Sequence, residues 1–212
     1  MSVAEAVDLI HSVMRLKQDD YFFVVGVAGP GDPLANDQTF KALNLIHKEY
    51  PHLLKCMSTN GLLLEDKLAD IIDVGIRALT VTINAADSHA GKSIYSWASY
   101  EGTVYRGEEA VSLLLAKQFS GIRKAVDAGL TIKVNTVLIP GINDKQMSKL
   151  ATRIKEAGAK IMNIMPLIPS GKMKNRPGPS CDELRKARQE CERIIPQFRR
   201  CEQCRADIIY LP

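Results

Sequence analysis

The chain has 212 residues, which is long enough for one domain with a sizeable core. Hydrophobic residues make up 46% and charged residues 25%, and no apolar run approaches the about 20 residues of a membrane span, so no membrane partner is expected. The net charge of +4 suits an anionic ligand but is too small for the strongly basic surface that nucleic-acid binding requires.

The first 20 residues predict an amphipathic helix, because Val3, Val7, Ile10 and Met14 are spaced for one helical face. This segment lacks the basic start and the continuous apolar core of a signal peptide. We therefore expect a cytoplasmic protein.

An apolar strand over residues 21–27 leads into a loop rich in glycine and proline, Gly29-Pro30-Gly31-Asp32-Pro33. Asn36 follows as the expected N-cap of a helix. Such a strand, loop and helix start can aim backbone N–H groups at a ligand. The loop is neither a Walker loop nor a Rossmann fingerprint, so it is either a ligand-binding loop or a tight turn.

A unit of helix, glycine and β-branched strand recurs along the chain. Helices are predicted over residues 65–73, 108–128 and 144–157, and strands over residues 53–58, 79–83, 131–135 and 160–164. With the first strand there are five βα units, which predict an α/β fold with a parallel sheet. The pattern leaves open a doubly wound sheet and a barrel or partial barrel.

Ligands of parallel sheets bind at the carboxyl ends of the strands. Small or polar residues stand where each predicted strand stops. They are residues 29–32, Ser58 to Gly61, Asn84, Asn135, and Met165 with Pro166. Any one of these segments is ordinary turn chemistry, but five at one rim predict a binding site.

Two connections stand out by length and composition. Residues 85–106 hold Trp97 and three tyrosines, which predicts either a lid or binding loop, or a surface loop pinned by its own aromatic side chains. Residues 167–179 are irregular and basic.

Two capping boxes are predicted at helix starts. Ser180 and Glu183 open a helix to about Ile195, and Asn143 and Gln146 form a second capping box for the helix over residues 144–157.

The five cysteines are odd in number and follow no secretion signal, which argues against a disulfide framework. Cys201 and Cys204 form a C-x-x-C pair after two arginines, so they are a metal or cluster site, a redox pair or a structural pair. Cys56 ends a strand and faces either the rim or the core. Cys191 shares an apolar helix face and is predicted to be a core residue, and Cys181 has no assigned role.

Six segments together carry a family resemblance. VVGVAGPGDPLAN, CMSTNGLLL, VTINAAD, KVNTVLIPGIND, NIMPLIPSG and CEQCRAD occur in this order and cover nearly the whole chain. The sequence resembles the NifB family of radical-SAM maturases, which build the FeMo cofactor precursor of nitrogenase during nitrogen fixation. The resemblance implies a partial TIM barrel of the radical-SAM type in residues 1–196 and a C-terminal cluster-binding tail in residues 197–212.

The resemblance further implies a lyase-like enzyme that cleaves S-adenosylmethionine (AdoMet) at a [4Fe-4S] cluster. In this family two further [4Fe-4S] clusters are fused, and an AdoMet methyl carbon becomes the central carbide. The family's partners are iron–sulfur cluster donors and the carrier or scaffold proteins that accept the product. The implied AdoMet contacts are Gly29, Pro30, Gly31, Asp32, Ser58, Asn60, Asn84 and Asn135. Cys56 would ligate one substrate cluster, and Cys201 with Cys204 the other.

One departure from the family is serious. The C-x-x-x-C-x-x-C motif that holds the AdoMet cluster is absent, as are the first barrel strand and an upstream histidine ligand. We therefore expect no AdoMet cleavage by this chain alone. A fragment or a misplaced start codon is the favoured explanation, beside half of a split enzyme and a non-catalytic carrier of iron–sulfur clusters. A lyase with a phosphate site is disfavoured, because no lysine or carboxylate pair stands at the predicted strand ends.

Overall fold

The computed structural model describes residues 2–16, 23–27 and 31–198. Its strands are β1 (Val24–Val27), β2 (Leu54–Thr59), β3 (Ala78–Thr82), β4 (Trp97–Tyr100), β5 (Thr103–Arg106), β6 (Thr131–Leu138) and β7 (Ile161–Pro166). Its helices are α1 (Val3–Arg15), α2 (Asp37–Glu49), α3 (Leu68–Asp73), α4 (Ser88–Gly91), α5 (Gly107–Asp127), α6 (Met147–Glu156) and α7 (Cys181–Glu192). In the described part of the chain, no helix combines the length and apolarity needed to cross a membrane.

Five of the strands form one parallel sheet in the order β1-β2-β3-β6-β7. The order follows the chain without the reversal that a doubly wound sheet requires. Because crossovers between parallel strands are right-handed, an order without reversal places every connecting helix on the same face. The partial barrel is therefore correct and the doubly wound alternative is wrong.

The burial of alternate residues confirms that helices cover only one face of this sheet. In β2, Lys55, Met57 and Thr59 are buried against the helices, while Leu54 is 49% exposed. Ile132 and Val134 of β6 are likewise buried in the core under the helices. The opposite face, which we call the inner face, carries the other residue of each alternating pair.

Two predicted helix starts are wrong, for reasons visible in the hydrogen bonds. The helix predicted from residue 65 begins at Leu68, and Glu65 instead accepts hydrogen bonds from Ser120 Oγ (2.7 Å) and Lys124 Nζ (2.5 Å) of α5. The capping box of Asn143 and Gln146 does not form, since neither side chain caps the helix.

Other local predictions are confirmed. Asn36 caps α2 by accepting the N–H of Gln38, and Ser180 forms the expected capping box with Glu183 at the start of α7. Cys191 is fully buried in the core, and this burial raises the pKa of its thiol to about 12. The thiol is therefore protonated at neutral pH and unsuited to bind a metal.

The connection predicted over residues 85–106 is not an irregular loop. It folds into α4 and an antiparallel hairpin of β4 and β5. Tyr95 Oη accepts the N–H of Asn84 (3.1 Å), and Lys117 of α5 donates a hydrogen bond to Tyr100. The alternative of a segment pinned by its own aromatic side chains is thus confirmed, although Trp97 remains 58% exposed.

Residues 196–198 continue the sheet beyond β7. The N–H of Met162 binds the carbonyl of Pro196 (2.9 Å), and the N–H of Phe198 binds the carbonyl of Met162 (2.8 Å). Phe198 is the last described residue, so the division between a barrel and a tail at residue 196 stays a prediction.

Asp87 links α4 to α6. Its carboxylate caps α4 through the N–H of Ala90 (3.1 Å) and accepts hydrogen bonds from Lys149 Nζ (2.9 Å) and Gln146 Nε2 (3.2 Å). The bond from Lys149, followed by that from Ala90, lowers the pKa of Asp87 from 3.8 to about 2. The ionised form is therefore favoured by folding.

We expect Asp87→Asn to flatten the loss of stability that acid causes between about pH 4 and pH 2. The folded-state pKa lies below the unfolded one, so the native carboxylate stabilises the protein above this window and ceases to do so as pH falls through it. The measurement is urea unfolding followed by circular dichroism from pH 7 to about pH 2. Asp87→Ala, which also removes the cap, should cost a further about 1 kcal/mol at pH 7. Identical acid profiles for wild type and Asp87→Asn would contradict the assignment.

The edge of the sheet at β1 predicts self-association. Within the described residues β1 pairs only with β2, and Val24 of this edge strand is 47% exposed. An unpaired apolar edge is a template for another strand. We expect oligomers in light scattering, and a shift toward monomer in Val24→Lys. Val104→Lys, at an equally exposed position on the hairpin, should leave the distribution unchanged. A monodisperse wild-type monomer would refute this prediction.

Candidate functional site

Asp32 ties the loop after β1 to the end of β2. Its carboxylate accepts hydrogen bonds from Thr59 Oγ1 (2.9 and 3.0 Å), the N–H of Asn60 (2.5 Å) and the N–H of Leu34 (3.0 Å). Gly31 precedes it with a φ of +90°, a conformation that favours glycine. The geometry makes Asp32 a residue that fixes the rim. Gly29 and Pro30 lie outside the described residues.

A buried amide joins the ends of β2 and β3. Gln118 of α5 is fully buried, and its Nε2 donates to the carbonyls of Asn60 (2.6 Å) and Thr82 (3.0 Å). Asn60 Oδ1 accepts the N–H of Leu62 (2.8 Å), while Asn60 itself is exposed. Gly61 adopts φ +80°, and a Cβ there would lie only 2.7 Å from Val81 Cγ1. The backbone after β2 is therefore fixed by the Gln118 amide, by the Asn60 side chain and by the close packing of Gly61 against Val81.

Asn84 and Asn143 form a second polar tie between β3 and β6. Asn84 Oδ1 accepts the N–H of Val137 (2.9 Å). Asn143 Nδ2 donates to the carbonyls of Asn84 (2.9 Å) and Val137 (2.8 Å), and its Oδ1 accepts the N–H of Ile139 (2.8 Å). These bonds explain why Asn143 does not cap a helix, and they place the Asn84 side chain in a structural contact.

Asn135 lies beside a polar residue that the sequence did not reveal. On the inner face, Asn135 of β6 pairs with Thr82 of β3 on one side and with Asn163 of β7 on the other. Asn163 is fully buried, and its Nδ2 donates to Asn135 Oδ1 (3.2 Å). Asn163 Oδ1 is also buried and has no hydrogen-bond partner in the structure. Because buried polar atoms are normally satisfied, this oxygen fits a donor on a bound ligand.

Cys56 lies on the inner face and not between the sheet and the helices. It is half-buried, and its Sγ would contact a Cβ added to Gly26 of β1 at 3.8 Å. Ser58, which is exposed, lies two residues closer to the rim on the same face. The structure therefore places a thiol below the polar rim that Ser58, Asn60 and Asn135 form.

The remaining cysteines do not join this site within the described part of the chain. Cys181 is exposed in the first turn of α7, Cys191 is in the core, and Cys201 and Cys204 lie outside the described residues. Among those residues, no three His, Cys, Asp or Glu side chains are grouped so as to hold a metal ion.

Three residues near the site were not predicted from the sequence, namely Gln118, Lys133 and Asn163, and Asn143 was predicted only as a helix cap. Gln118 interrupts the apolar stripe of its helix, which is a usable signal for a buried amide. Lys133 and Asn163 stand at inward positions of predicted strands, so alternation could have identified them once the sheet order was known.

A model of the Radical SAM superfamily matches residues 2–154. Over 196 residues the chain is 46% identical to "FeMo cofactor biosynthesis protein NifB" of Methanocaldococcus infernus, a match covering 92% of this chain and 65% of that relative. It is 44% identical over 193 residues to the protein of the same description from Klebsiella pneumoniae, covering 88% of this chain and 41% of that one.

Among solved structures, a radical SAM methyltransferase from Sphaerobacter thermophilus superposes with a TM-score of 0.68 at 18% identity, over 93% of this chain and 57% of that one. This likeness supports the partial-barrel fold. The chain spans less than two thirds of the length of these curated relatives. By the extent of the family match, the chain belongs to the radical SAM superfamily.

Proposed function

We propose that this chain forms part of a cytoplasmic radical-SAM maturase that builds the nitrogenase cofactor precursor. In this reaction two [4Fe-4S] clusters are fused and an AdoMet-derived carbide is inserted. Relatives with 36–46% identity are described as FeMo cofactor biosynthesis proteins. The observation that carries the proposal is the position of Cys56, a thiol on the inner face beneath a polar rim.

The rim fits the methionine and ribose groups of AdoMet. In the loop of Gly29, Pro30, Gly31 and Asp32, the residues other than proline would offer backbone N–H groups, and the Asp32 carboxylate accepts the N–H of Asn60. Ser58 is exposed on the inner face near the rim, and the unpartnered Asn163 Oδ1 would accept a hydrogen bond from the ligand. When bound at its cluster, AdoMet supplies the radical and the carbide carbon.

Asn84 and Asn135 complete the proposed AdoMet contacts. Asn84 uses its Oδ1 for the N–H of Val137, so only its amide nitrogen would reach a ligand. Asn135 uses its Oδ1 for Asn163, and its Nδ2 would likewise donate to the ligand. Both residues would therefore act as donors, which suits the hydroxyl and carboxylate oxygens of AdoMet.

The AdoMet cluster does not fit the residues present. The sequence has no C-x-x-x-C-x-x-C motif, and the described residues contain no three-ligand group. We propose that these ligands come from additional polypeptide, either in a longer form of this protein or in a partner. No AdoMet cleavage is therefore derived for this chain alone.

The residues of this chain fit the substrate clusters better than they fit the AdoMet cluster. Soft thiolates are the usual ligands of iron–sulfur clusters, and Cys56 offers one on the inner face. Cys201 and Cys204 would ligate the second cluster. Both cysteines lie outside the described residues. A cluster donor and a carrier or scaffold protein that accepts the product are the implied partners.

A second candidate function is that of a carrier that stores or transfers iron–sulfur clusters without catalysis. The missing cysteine motif favours it. Two observations separate the maturase from the carrier. The first is the upstream DNA, where a stop codon or unrelated sequence supports the carrier. The second is an assay for 5′-deoxyadenosine with the upstream coding region restored in frame, where product formation supports the maturase.

We expect anaerobic reconstitution with Fe(II) and sulfide to load the chain with iron. Cys56→Ala and the double variant Cys201→Ala/Cys204→Ala should each lose about half of it, because each removes ligands of one of two clusters. Colorimetric iron per chain is the measurement. Cys181→Ala, a change at an exposed thiol without an assigned role, is the matched control. Iron near zero in the wild type would contradict both candidate functions.

We expect Asn135→Ala to weaken AdoMet binding about fivefold, because one lost hydrogen bond is worth about 1 kcal/mol. Equilibrium dialysis with labelled AdoMet measures the affinity, and thermal unfolding checks the fold. Asn44→Ala, on the exposed surface of α2, is the control. Equal affinities for Asn135→Ala and wild type would remove Asn135 from the site.

A further inference from the structure

Lys133 is the one charged residue on the inner face of the described five-stranded sheet. The other inward residues of β2, β3 and β6 are Leu54, Cys56, Ser58, Ala78, Thr80, Thr82, Thr131, Asn135 and Val137, and those of β1 and β7 are Val24, Gly26, Ile161, Asn163 and Met165. None of them is acidic. The inner face therefore has a positive potential centred on a single ammonium group.

The Lys133 ammonium has an aromatic partner but no carboxylate. Its Nζ lies 4.8 Å from the centre of the Phe198 ring, and no described Asp or Glu lies within ion-pair distance. Lys133 itself is half-buried. A cation–π contact orients the ammonium without neutralising its charge, so its N–H donors remain available to an anion.

The position of Lys133 relates it to both proposed cysteine sites. Across the sheet, Ser58, Thr80 and Lys133 share one row, and Cys56 lies one row further from the rim. One strand separates β2 from β6, so with the offset of one row the Cα atoms of Cys56 and Lys133 are about 12 Å apart. Phe198, under the ammonium, is three residues before Cys201. Lys133 thus lies on the same face as the Cys56 thiol and contacts Phe198, the last described residue.

We propose that Lys133 is the electrostatic anchor for the anionic iron–sulfur substrate on the inner face. The inference rests on the proposed function above and adds a residue that binds the substrate through its sulfides and charge. Thiolate-ligated clusters are anions whose sulfurs accept hydrogen bonds, and such bonds and nearby charges set their reduction potentials. A lysine ammonium supplies up to three donors and a compact positive charge.

The test compares Lys133→Met, Lys133→Arg and wild type. Methionine keeps the length and apolar stem but removes the charge, whereas arginine keeps a charge that can also stack on Phe198. Lys155→Met, on the exposed face of α6, is the matched control. Circular dichroism confirms that each variant folds. The probes are anaerobic Fe(II) with sulfide, and a synthetic dianionic [4Fe-4S] cluster with small thiolate ligands.

We expect Lys133→Met to bind the synthetic cluster about tenfold more weakly, with a smaller dependence on salt. Any cluster that it retains should have a lower reduction potential, because the positive charge that stabilises the reduced state is gone. Lys133→Arg should restore most of the affinity, and Lys155→Met should match wild type. A role limited to packing against Phe198 would change stability without changing the salt dependence or the potential.

Two failures are distinguishable. If wild type binds neither probe, the proposed function falls, and this inference falls with it. If wild type binds both probes and Lys133→Met matches it in affinity, salt dependence and potential, the inference alone is overturned. Equal losses in Lys133→Met and Lys155→Met would also overturn it, because the effect would then reflect net charge and not position.

Discussion

The strand order is the constraint on which the rest of the molecule depends. Because each strand lies beside its predecessor in the main sheet, every connecting helix lies on one face. The apolar residues of that face form the core, and among the described residues no helix covers the other face. The inner face is thus free to carry residues chosen for chemistry, such as Cys56 and Lys133, without disturbing the packing that stabilises the fold.

The rim separates residues that hold the loops from residues that remain for a ligand. The Asp32 carboxylate, the Gln118 amide nitrogen and the Asn143 amide form hydrogen bonds to backbone groups at the ends of neighbouring strands, and Asp32 also accepts one from the Thr59 side chain. Such ties fix loop positions before any ligand arrives, which lowers the entropic cost of binding. Ser58 and the unpartnered oxygen of Asn163 are left at the positions that these ties create.

The sequence predicted the features that depend on local pattern. β-branched runs after helix-ending glycines identified three of the five parallel strands within a few residues, and the apolar stripe of α7 correctly placed Cys191 in the core. Contacts between distant residues were not predictable. The amide of Asn143 has three backbone partners brought together by the fold, and these outcompete a local cap. Likewise, alternation could give the face of Lys133 but not its contact with Phe198, 65 residues later.

The position of Trp97 has a consequence for spectroscopy. It is the chain's only tryptophan, and it lies on the outward face of the hairpin, more than half exposed, while the core contains none. Its emission therefore already resembles that of a solvated indole in the folded protein and changes little when the core melts. Intrinsic fluorescence would underreport unfolding of this protein, yet it would respond to any molecule that covers the hairpin beside the rim.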